Sequence, residues 1–565
     1  MIGLIENAPA VPATDLIRQV EEIFSPAGLL AKASNFEYRP QQQEMAVAVA
    51  RALEGKEHLL VEAGTGVGKS LGYLVPAILY AVAAKRKAVI CTHTINLQEQ
   101  LTQKDLPMLA QIMPVPFTFT MLKGRSNYLC SRRLQRAIQQ AQGLFTGPEI
   151  EELKRIEEWA GATKDGSLSD FEIEPDPKVW DQVCSERGLC SPNLCGHQSD
   201  FAKTNPVCFF QRARKRILSS DVLILNHTLF FTMLGGIEES SDEGILFKND
   251  FVIFDEAHTV EQVASRHIGL SVSSFQLPYS LGRLWNPRTK KGLLSLKQGS
   301  SRQLVAELLE QGAQFFSEVE QACDDLYQEA RSQDSARGGQ GGGGTRNWSE
   351  LRIRKPDLVP DTITLSIQRL REDVSQLIKL SDDKDMGQEL AECNRRLGEL
   401  RDELVKFLSQ SEPNNVYWVE RSGKTKKNLT LNAAPVDVAE FLRLRLFGSK
   451  TSIIMTSATL AVAARGDRAA ESKQKTPVSP LDYFARRVGG QQATLLQVGS
   501  PFDYEKQMKF FVVSKMPDPR EGGYREALIH WIEHFVKMTH GKAFVLFTNF
   551  KLMQDIAEAM APFFE

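Results

Sequence analysis

A chain of 565 residues is too long for one hydrophobic core and is expected to divide into roughly three or four domains. With 42% hydrophobic and 24% charged residues it has the composition of an ordinary globular protein, and a net charge of −2 excludes a global electrostatic pull toward nucleic acid. Any nucleic-acid surface must therefore be local. The opening MIGLIENAPAVPATDLIRQVEEIF lacks a basic segment followed by a continuous apolar stretch, so no signal peptide is read there. The longest apolar run, YLVPAILYAVAA at 73–84, falls short of the ~20 residues a membrane span needs. A cytoplasmic chain without a membrane partner is the default expectation. In that compartment thiols stay reduced, so clustered cysteines read as metal-binding or chemical rather than as disulfides.

In chain order, residues 58–105 read as strand, glycine-rich loop, helix and strand. HLLVEA (58–63) leads into GTGVGKS, a helix-length alanine-rich segment follows, and KAVICTH (87–93) is a second buried strand. Similar apolar runs return at DVLILNH (221–227), DFVIFDEAH (250–258) and SIIMTSATL (452–460). This alternation predicts one parallel α/β sheet with crossover helices, interrupted by two long insertions. The first, 107–215, holds most of the cysteines. The second is helical: Ile363, Ile367, Leu370, Val374 and Leu377 form one seam, and Leu390, Cys393, Leu397, Leu400, Leu404 and Phe407 form another. These 4-3 spacings predict a packed helical hairpin, with Cys393 and the earlier Cys323 as core residues. ARGGQGGGGT (336–345) reads as a flexible linker within it. A second α/β unit is expected from 495, with KFFVVSKMP (509–517) and KAFVLFTNF (542–550) as strands.

The chemistry concentrates first in AGTGVGKS, Ala63 to Ser70. Gly64, Gly66 and Gly68 let the loop wrap closely, so that backbone N–H groups of Gly64, Thr65, Gly66, Val67 and Gly68 point at phosphates. The helix that follows adds its positive end. Ala63 stands where the Walker A pattern asks for its first glycine. Lys69 reaches the β- and γ-phosphates of ATP, and Ser70 holds Mg²⁺ in this reading. VIFDEAH supplies the other half: Asp255, at the end of an apolar strand, holds Mg²⁺, and Glu256 orients the attacking water.

With those two motifs in place the chain resembles the DinG-type, XPD-like iron–sulfur helicases of superfamily 2, from YRPQQQEMA at 38 to VLFTNF at 545. The resemblance implies that RPQQ (39–42) is the adenine-reading element, with Arg39 and Gln42 at the nucleotide. It implies that THTINLQEQL (92–101) is motif Ia, whose Thr92 and His93 touch DNA. It also implies that Asp255 to His258 is motif II, and that TSATL, with Thr456, Ser457 and Thr459, is the motif III that couples hydrolysis to strand movement. GSPFDY (499–504) matches the passage between two motor domains. The implied architecture is a RecA-like P-loop motor domain with iron–sulfur and helical Arch insertions framing a pore, plus a partial second RecA-like domain. The expected division is motor domain 1 (1–106), cluster insertion (107–215), motor domain 1 again (216–275), Arch (276–430), the end of motor domain 1 (431–494) and partial motor domain 2 (495–565). The implied activity is ATP-dependent 5′→3′ unwinding of forked or loop DNA through translocation on single strands, in repair or replication.

Four of the eight cysteines fall in CSERGLCSPNLCGHQSDFAKTNPVC, 184–208, with spacings of six, five and thirteen. No C-x₂-C pair of the usual zinc type occurs there. The resemblance implies a [4Fe–4S] cluster on Cys130, from KGRSNYLC, together with Cys190, Cys195 and Cys208; a zinc site in which His197 replaces a cysteine, and purely structural cysteines, are the competing readings. Cys184 is then a bystander. Lys123, Arg125, Arg212 and Arg214 flank the cluster with positive charge and are candidate DNA contacts; Tyr128, Phe209 and Phe210 are either stacking surfaces or core. The family's motifs V and VI do not occur in these residues. The alternative expectation is therefore an ATP- and DNA-binding module without unwinding activity, whose missing half another polypeptide supplies.

Overall fold

The computed structural model describes residues 15–32, 37–235, 250–294, 299–336, 348–381, 384–422, 428–462 and 479–564. The linker expected at 336–345 lies, but for its first residue, outside them. Two compact units are present, Met1–Pro501 and Phe502–Glu565.

The first unit is organised by a seven-stranded sheet. Its strands are β1 (Leu59–Ala63), β2 (Ala88–Thr92), β3 (Phe119–Met121), β4 (Val222–Asn226), β5 (Phe251–Asp255), β10 (Ile453–Ser457) and β11 (Thr494–Val498), in the spatial order β11-β1-β10-β5-β2-β4-β3. Every pairing is parallel. Alternate residues of each strand enter two different cores. Leu60, Val89, Leu223, Phe254 and Met455 pack on one face; Val61, Ile90, Ile224, Ile253 and Ile454 pack on the other. A sheet covered on both faces requires the near-continuous apolar strands seen in the sequence. All five strands read from the sequence are present. β3 and β11 are additional, so residues around 119–121 belong to the main sheet rather than to the insertion, and the second unit starts at Phe502, not 495.

The helical insertion contains more than helices. Helices Gly299–Ala336, Thr364–Lys379 and Lys384–Ser409 bury both expected seams, with Cys323 and Cys393 in the core. Beside them lies an antiparallel sheet in the order β6-β9-β8-β7: β6 (Leu270–Ser273), β7 (Glu350–Ile353), β8 (Asn415–Ser422) and β9 (Asn428–Pro435). The expected boundary at 430 falls inside β9. The alternating NVYWVERS carries a strand signal that the heptads before it obscure.

The two insertions meet through buried charges. Glu186, from the cysteine-rich segment, is gripped by Arg283 at 2.7 Å, by Arg133 at 3.2 Å and by Arg396. Glu389, from the helical hairpin, is gripped by Arg283 at 2.7 Å and Arg136 at 3.3 Å.

In the second unit, 509–517 and 542–549 form no strand and Phe550 begins a helix, a correction to the strands expected there. Phe510, Val512, Phe544 and Leu546 are exposed. A strand is completed by its neighbours' ladder hydrogen bonds, and these segments pair with no strand among the described residues. Helices Tyr524–Met538 and Phe550–Ala559 pack around Ile532, Val536, Ile556 and Met560.

Candidate functional site

The C-terminal ends of β1, β10, β5 and β2 lie side by side, because β10 inserts between β1 and β5. Ligands of open α/β sheets bind at that edge. The loop 64–68 leaves β1 there. Gly66 and Gly68 have φ of 83° and 85°, and Gly68 caps helix Lys69–Ala84. A side chain at Gly68 is doubly excluded, since its Cβ would also stand 2.1 Å from Gln42 Nε2. Gln42 itself is buried on helix Pro40–Gly55 and donates to the Gly68 carbonyl at 2.9 Å, while Arg39 donates to the Gly66 carbonyl. Both residues of the RPQQ element thus brace the phosphate-type loop. Thr65 is exposed and Val67 buried beneath it.

Asp255 ends β5 and is buried. Burial and the neighbouring charge of Glu256 push its carboxyl up to about 6, against the opposing pull of Lys69 and of the Tyr73 hydroxyl, which donates to Oδ2 at 3.1 Å. Ser70 is near enough to the Tyr73 hydroxyl to oppose the rise that burial causes in it. The loop lysine, Ser70 and Asp255 are therefore in one electrostatic neighbourhood, with a carboxylate that a divalent cation would stabilise. Glu256 is half-buried. Ser457, from the end of β10, places its hydroxyl 2.8 Å from His258 Nδ1 and 3.4 Å from Glu256 Oε2. Motif III thus touches motif II directly. Thr456 is buried beside Asp255 in register, its hydroxyl without a hydrogen-bond partner among the described residues, and Thr459 is exposed.

Sequence reasoning missed Glu62, just before the loop. Its Oε2 accepts from the backbone N–H of Leu460 at 2.6 Å and of Ala461, and its Oε1 accepts from Gln497 at 2.7 Å. It also missed His227, buried at the end of β4, whose pKa burial lowers to about 4. Neither carries a local signal, since each acts only because separate strands end together.

The cysteines converge as a second centre. Cys130, Cys190, Cys195 and Cys208 are all buried, and their sulfur atoms lie within 4.8 Å of one another. Cys130 and Cys208 cap the N-termini of helices Ser131–Gln139 and Phe209–Leu218, whose positive ends favour thiolates. Backbone bonds stitch the loops together: Cys208 N–H donates to the Cys195 carbonyl at 3.1 Å and Cys130 N–H to that of Val183 at 2.9 Å. Burial pushes the Cys130 thiol up, while hydrogen bonds from the other three pull Cys190 down. A donor set of four thiolates, with no histidine or carboxylate in it, fits a cationic iron–sulfur cluster. Cys184 stands apart, its sulfur 3.8 Å from Arg133 Nη1, and His197 is exposed and outside the group.

Two expected DNA contacts are corrected. Lys123 is buried, its ammonium taken by Ser169 at 2.7 Å, Ser167 at 3.2 Å and Glu99 at 3.4 Å. Arg125 donates to the carbonyls of Cys190 at 2.9 Å and Glu186 at 3.0 Å and lies over the Phe210 ring. A cation so enclosed forms the wall of the cysteine centre rather than a phosphate contact. Tyr128, Phe209 and Phe210 are core. Arg212 is exposed, over the Phe209 ring, and Arg214 follows it on the same helix. Thr92 is also corrected as a DNA contact: it is fully buried at the end of β2 with its hydroxyl donating to the Thr94 carbonyl at 3.2 Å, whereas His93 beyond it is exposed.

A DEAD/DEAH box helicase family model matches residues 39–148. The ATP-dependent DNA helicase YoaA of Escherichia coli (strain K12) is 31% identical over 545 residues, covering 95% of this chain and 75% of the relative. The Bacillus subtilis (strain 168) protein named 3′-5′ exonuclease DinG is 26% identical over 93% of this chain and 56% of its own length. Among solved structures, an XPD helicase is 15% identical, covering 93% of this chain and 75% of that one with a TM-score of 0.46. No helix among the described residues is long and apolar enough to cross a membrane.

Proposed function

The chain belongs to the ATP-dependent DNA helicases of YoaA and DinG type, and from that premise we propose that it couples Mg²⁺·ATP hydrolysis to 5′→3′ movement along single-stranded DNA. The observation that carries this reading is Ser457, which joins the DEAH carboxylate and histidine to the strand end of motif III. Loop N–H groups of residues 64–68 and Lys69 hold the phosphates, and Ser70 and Asp255 are the residues that would hold Mg²⁺. Glu256 orients water toward the γ-phosphate, and Ser457 and His258 relay the change in that site to β10. Arg39 and Gln42 are assigned to the adenine side of the loop they brace.

Cys130, Cys190, Cys195 and Cys208 are proposed to hold a [4Fe–4S] cluster; when bound, such a cluster supplies structural cross-linking and one-electron chemistry. The chain's own contribution is the two helix N-termini and Arg125, which donates to the Cys190 carbonyl. His93, Arg212 and Arg214 are proposed to contact the single strand, with the cysteine-rich and helical insertions framing its path. Forked or loop DNA is the expected substrate, in repair or replication.

The test is strand separation with ATP on forks carrying either a 5′ or a 3′ single-stranded tail. Unwinding of the 5′-tailed fork supports the proposal; ATP and DNA binding without unwinding of either fork supports the binding-module alternative. Lys69→Ala should abolish ATP binding or turnover, and Glu256→Gln should bind ATP without hydrolysing it.

A further inference from the structure

Glu256, the residue proposed to orient water, has a backbone φ of 53°. That left-handed conformation costs a residue with a side chain about 1–2 kcal/mol, so the surrounding structure must impose it. Two peptide groups flank the residue. The carbonyl before it, that of Asp255, accepts from His227 Nε2 at 2.9 Å. The carbonyl after it, that of Glu256, lies 3.1 Å from Thr259 N–H and 3.0 Å from the Thr259 hydroxyl. That hydroxyl is itself 3.0 Å from His227 Nδ1. One buried imidazole therefore reaches both ends of the strained residue.

The ring has a third contact. Nε2 also lies 3.2 Å from the carbonyl of Cys91, in β2. Two carbonyl oxygens facing one nitrogen require that nitrogen to carry the proton, so Nδ1 is an acceptor; the single Thr259 hydroxyl proton goes either to Nδ1 or to the Glu256 carbonyl, which in both cases keeps the Thr259 N–H as a donor. Cys91 precedes Thr92 and His93, and the His93 ring centre is 6.1 Å from that of His227. β2 and β5 are neighbours in the sheet, and His227, arriving from the end of β4, closes the gap where both strands end.

We propose that His227 is a positioning residue for ATP hydrolysis. It holds the Glu256 turn in its left-handed form, so that the carboxylate faces the water, and ties that turn to the strand end that leads into Thr92 and His93. The inference rests on the assignment of Glu256 to the attacking water.

Three substitutions separate this role from simple packing. His227→Leu fills the space without a donor, His227→Gln restores an N–H near the position of Nε2, and Thr259→Val removes only the second arm. Each full chain is read in two ways: single-turnover ATP hydrolysis with and without single-stranded DNA, and affinity for Mg²⁺·ADP with and without aluminium fluoride, which mimics the transferring phosphoryl group and needs no turnover. His227→Leu should lower the hydrolysis rate and the fluoride-complex affinity about 10–100-fold, as loss of a supporting hydrogen bond does at other sites. Affinity for Mg²⁺·ADP alone should change by less than about twofold, since that binding does not use Glu256. His227→Gln should recover most of the loss, and Thr259→Val should show a smaller loss of the same kind.

Wild-type behaviour of His227→Leu, or equal losses of affinity with and without fluoride, would overturn the proposal. If His227→Leu does not fold, the Gln and Val variants decide by the same ratio. Glu256→Gln is measured in parallel. Hydrolysis surviving in that variant removes the assignment on which the inference rests, whereas its loss alongside a fully active His227→Leu removes the inference alone.

Discussion

The two insertions into the motor sheet solve the same problem in opposite ways. The helical one closes its own core: long helices and an antiparallel sheet bury Leu281, Phe315, Ile367, Leu397 and Leu431 without using any strand of the seven-stranded sheet. The cysteine-rich one has one 16-residue helix, Gly147–Ala162, and otherwise short ones, and its core runs on into the sheet, so that Cys130, Trp180, Phe210, Leu225 and Phe254 share one cluster. Mostly short helices joined by loops bury less apolar surface on their own than long ones do, and gain from a cross-link or a neighbour. This insertion has both, four thiols and the face of the sheet. The contrast implies that damage to the first insertion spreads to the motor, whereas damage to the second stays local.

The largest effect should come from Cys130→Ala. It should remove all bound iron, lower the unfolding temperature and weaken ATP binding as well, because the insertion shares its core with the strands that carry the nucleotide loop; iron analysis, thermal unfolding and nucleotide titration read these together. Retained ATP affinity in an iron-free variant would break the comparison. Next is the junction. Arg283→Met leaves Glu186 and Glu389 with their best partner gone, and stranding charge in a buried site costs about 3–5 kcal/mol. Denaturant unfolding should show that loss, with hydrogen exchange rising on both sides of the junction.

Within the helical insertion, Leu397→Ala should cost about 2–5 kcal/mol of local stability. Hydrogen exchange should quicken in the hairpin while Mg²⁺·ATP affinity stays within about twofold of wild type. A motor-wide increase in exchange would show that this insertion is not self-contained. A smaller effect of opposite sign is expected at the nucleotide edge. Asp255 is held at about 6 rather than its ordinary 3.8, so its charge costs stability above pH 6 and costs nothing once the side chain is protonated in both folded and unfolded chains, below about pH 4. Asp255→Asn should therefore stabilise the nucleotide-free chain by up to about 3 kcal/mol at pH 7–8. The gain should fade as pH falls from 6 to 4, in thermal melts taken across that range.

What the sequence revealed follows the same division. The phosphate loop, the DEAH box and the helical seams were legible because their chemistry or periodicity is contiguous: Gly66 needs its neighbours, and Leu397 needs Cys393 and Leu400. The four sulfur atoms that converge are those of the set the family resemblance implies, and Cys184, in the same string, stands outside the group. Residues that act by convergence were hidden. Glu62 and His227 matter because β1, β2, β5 and β10 end side by side, and no window of sequence contains those four ends. Lys123 misled for a related reason, since a basic tripeptide does not show that Glu99, Ser167 and Ser169 will enclose its ammonium. The apolar runs at 509–517 and 542–550 have strand composition, but a ladder is a property of pairs.

The most direct measurement is iron and sulfide content, with the absorbance spectrum, of the anaerobically purified chain beside its Cys130→Ala and Cys184→Ala variants. The four-thiol centre predicts a brown wild-type protein with a broad band near ~400 nm. It predicts the same spectrum for Cys184→Ala and a colourless, iron-free Cys130→Ala. A colourless wild-type protein carrying one zinc, or loss of iron on replacing Cys184, would contradict it.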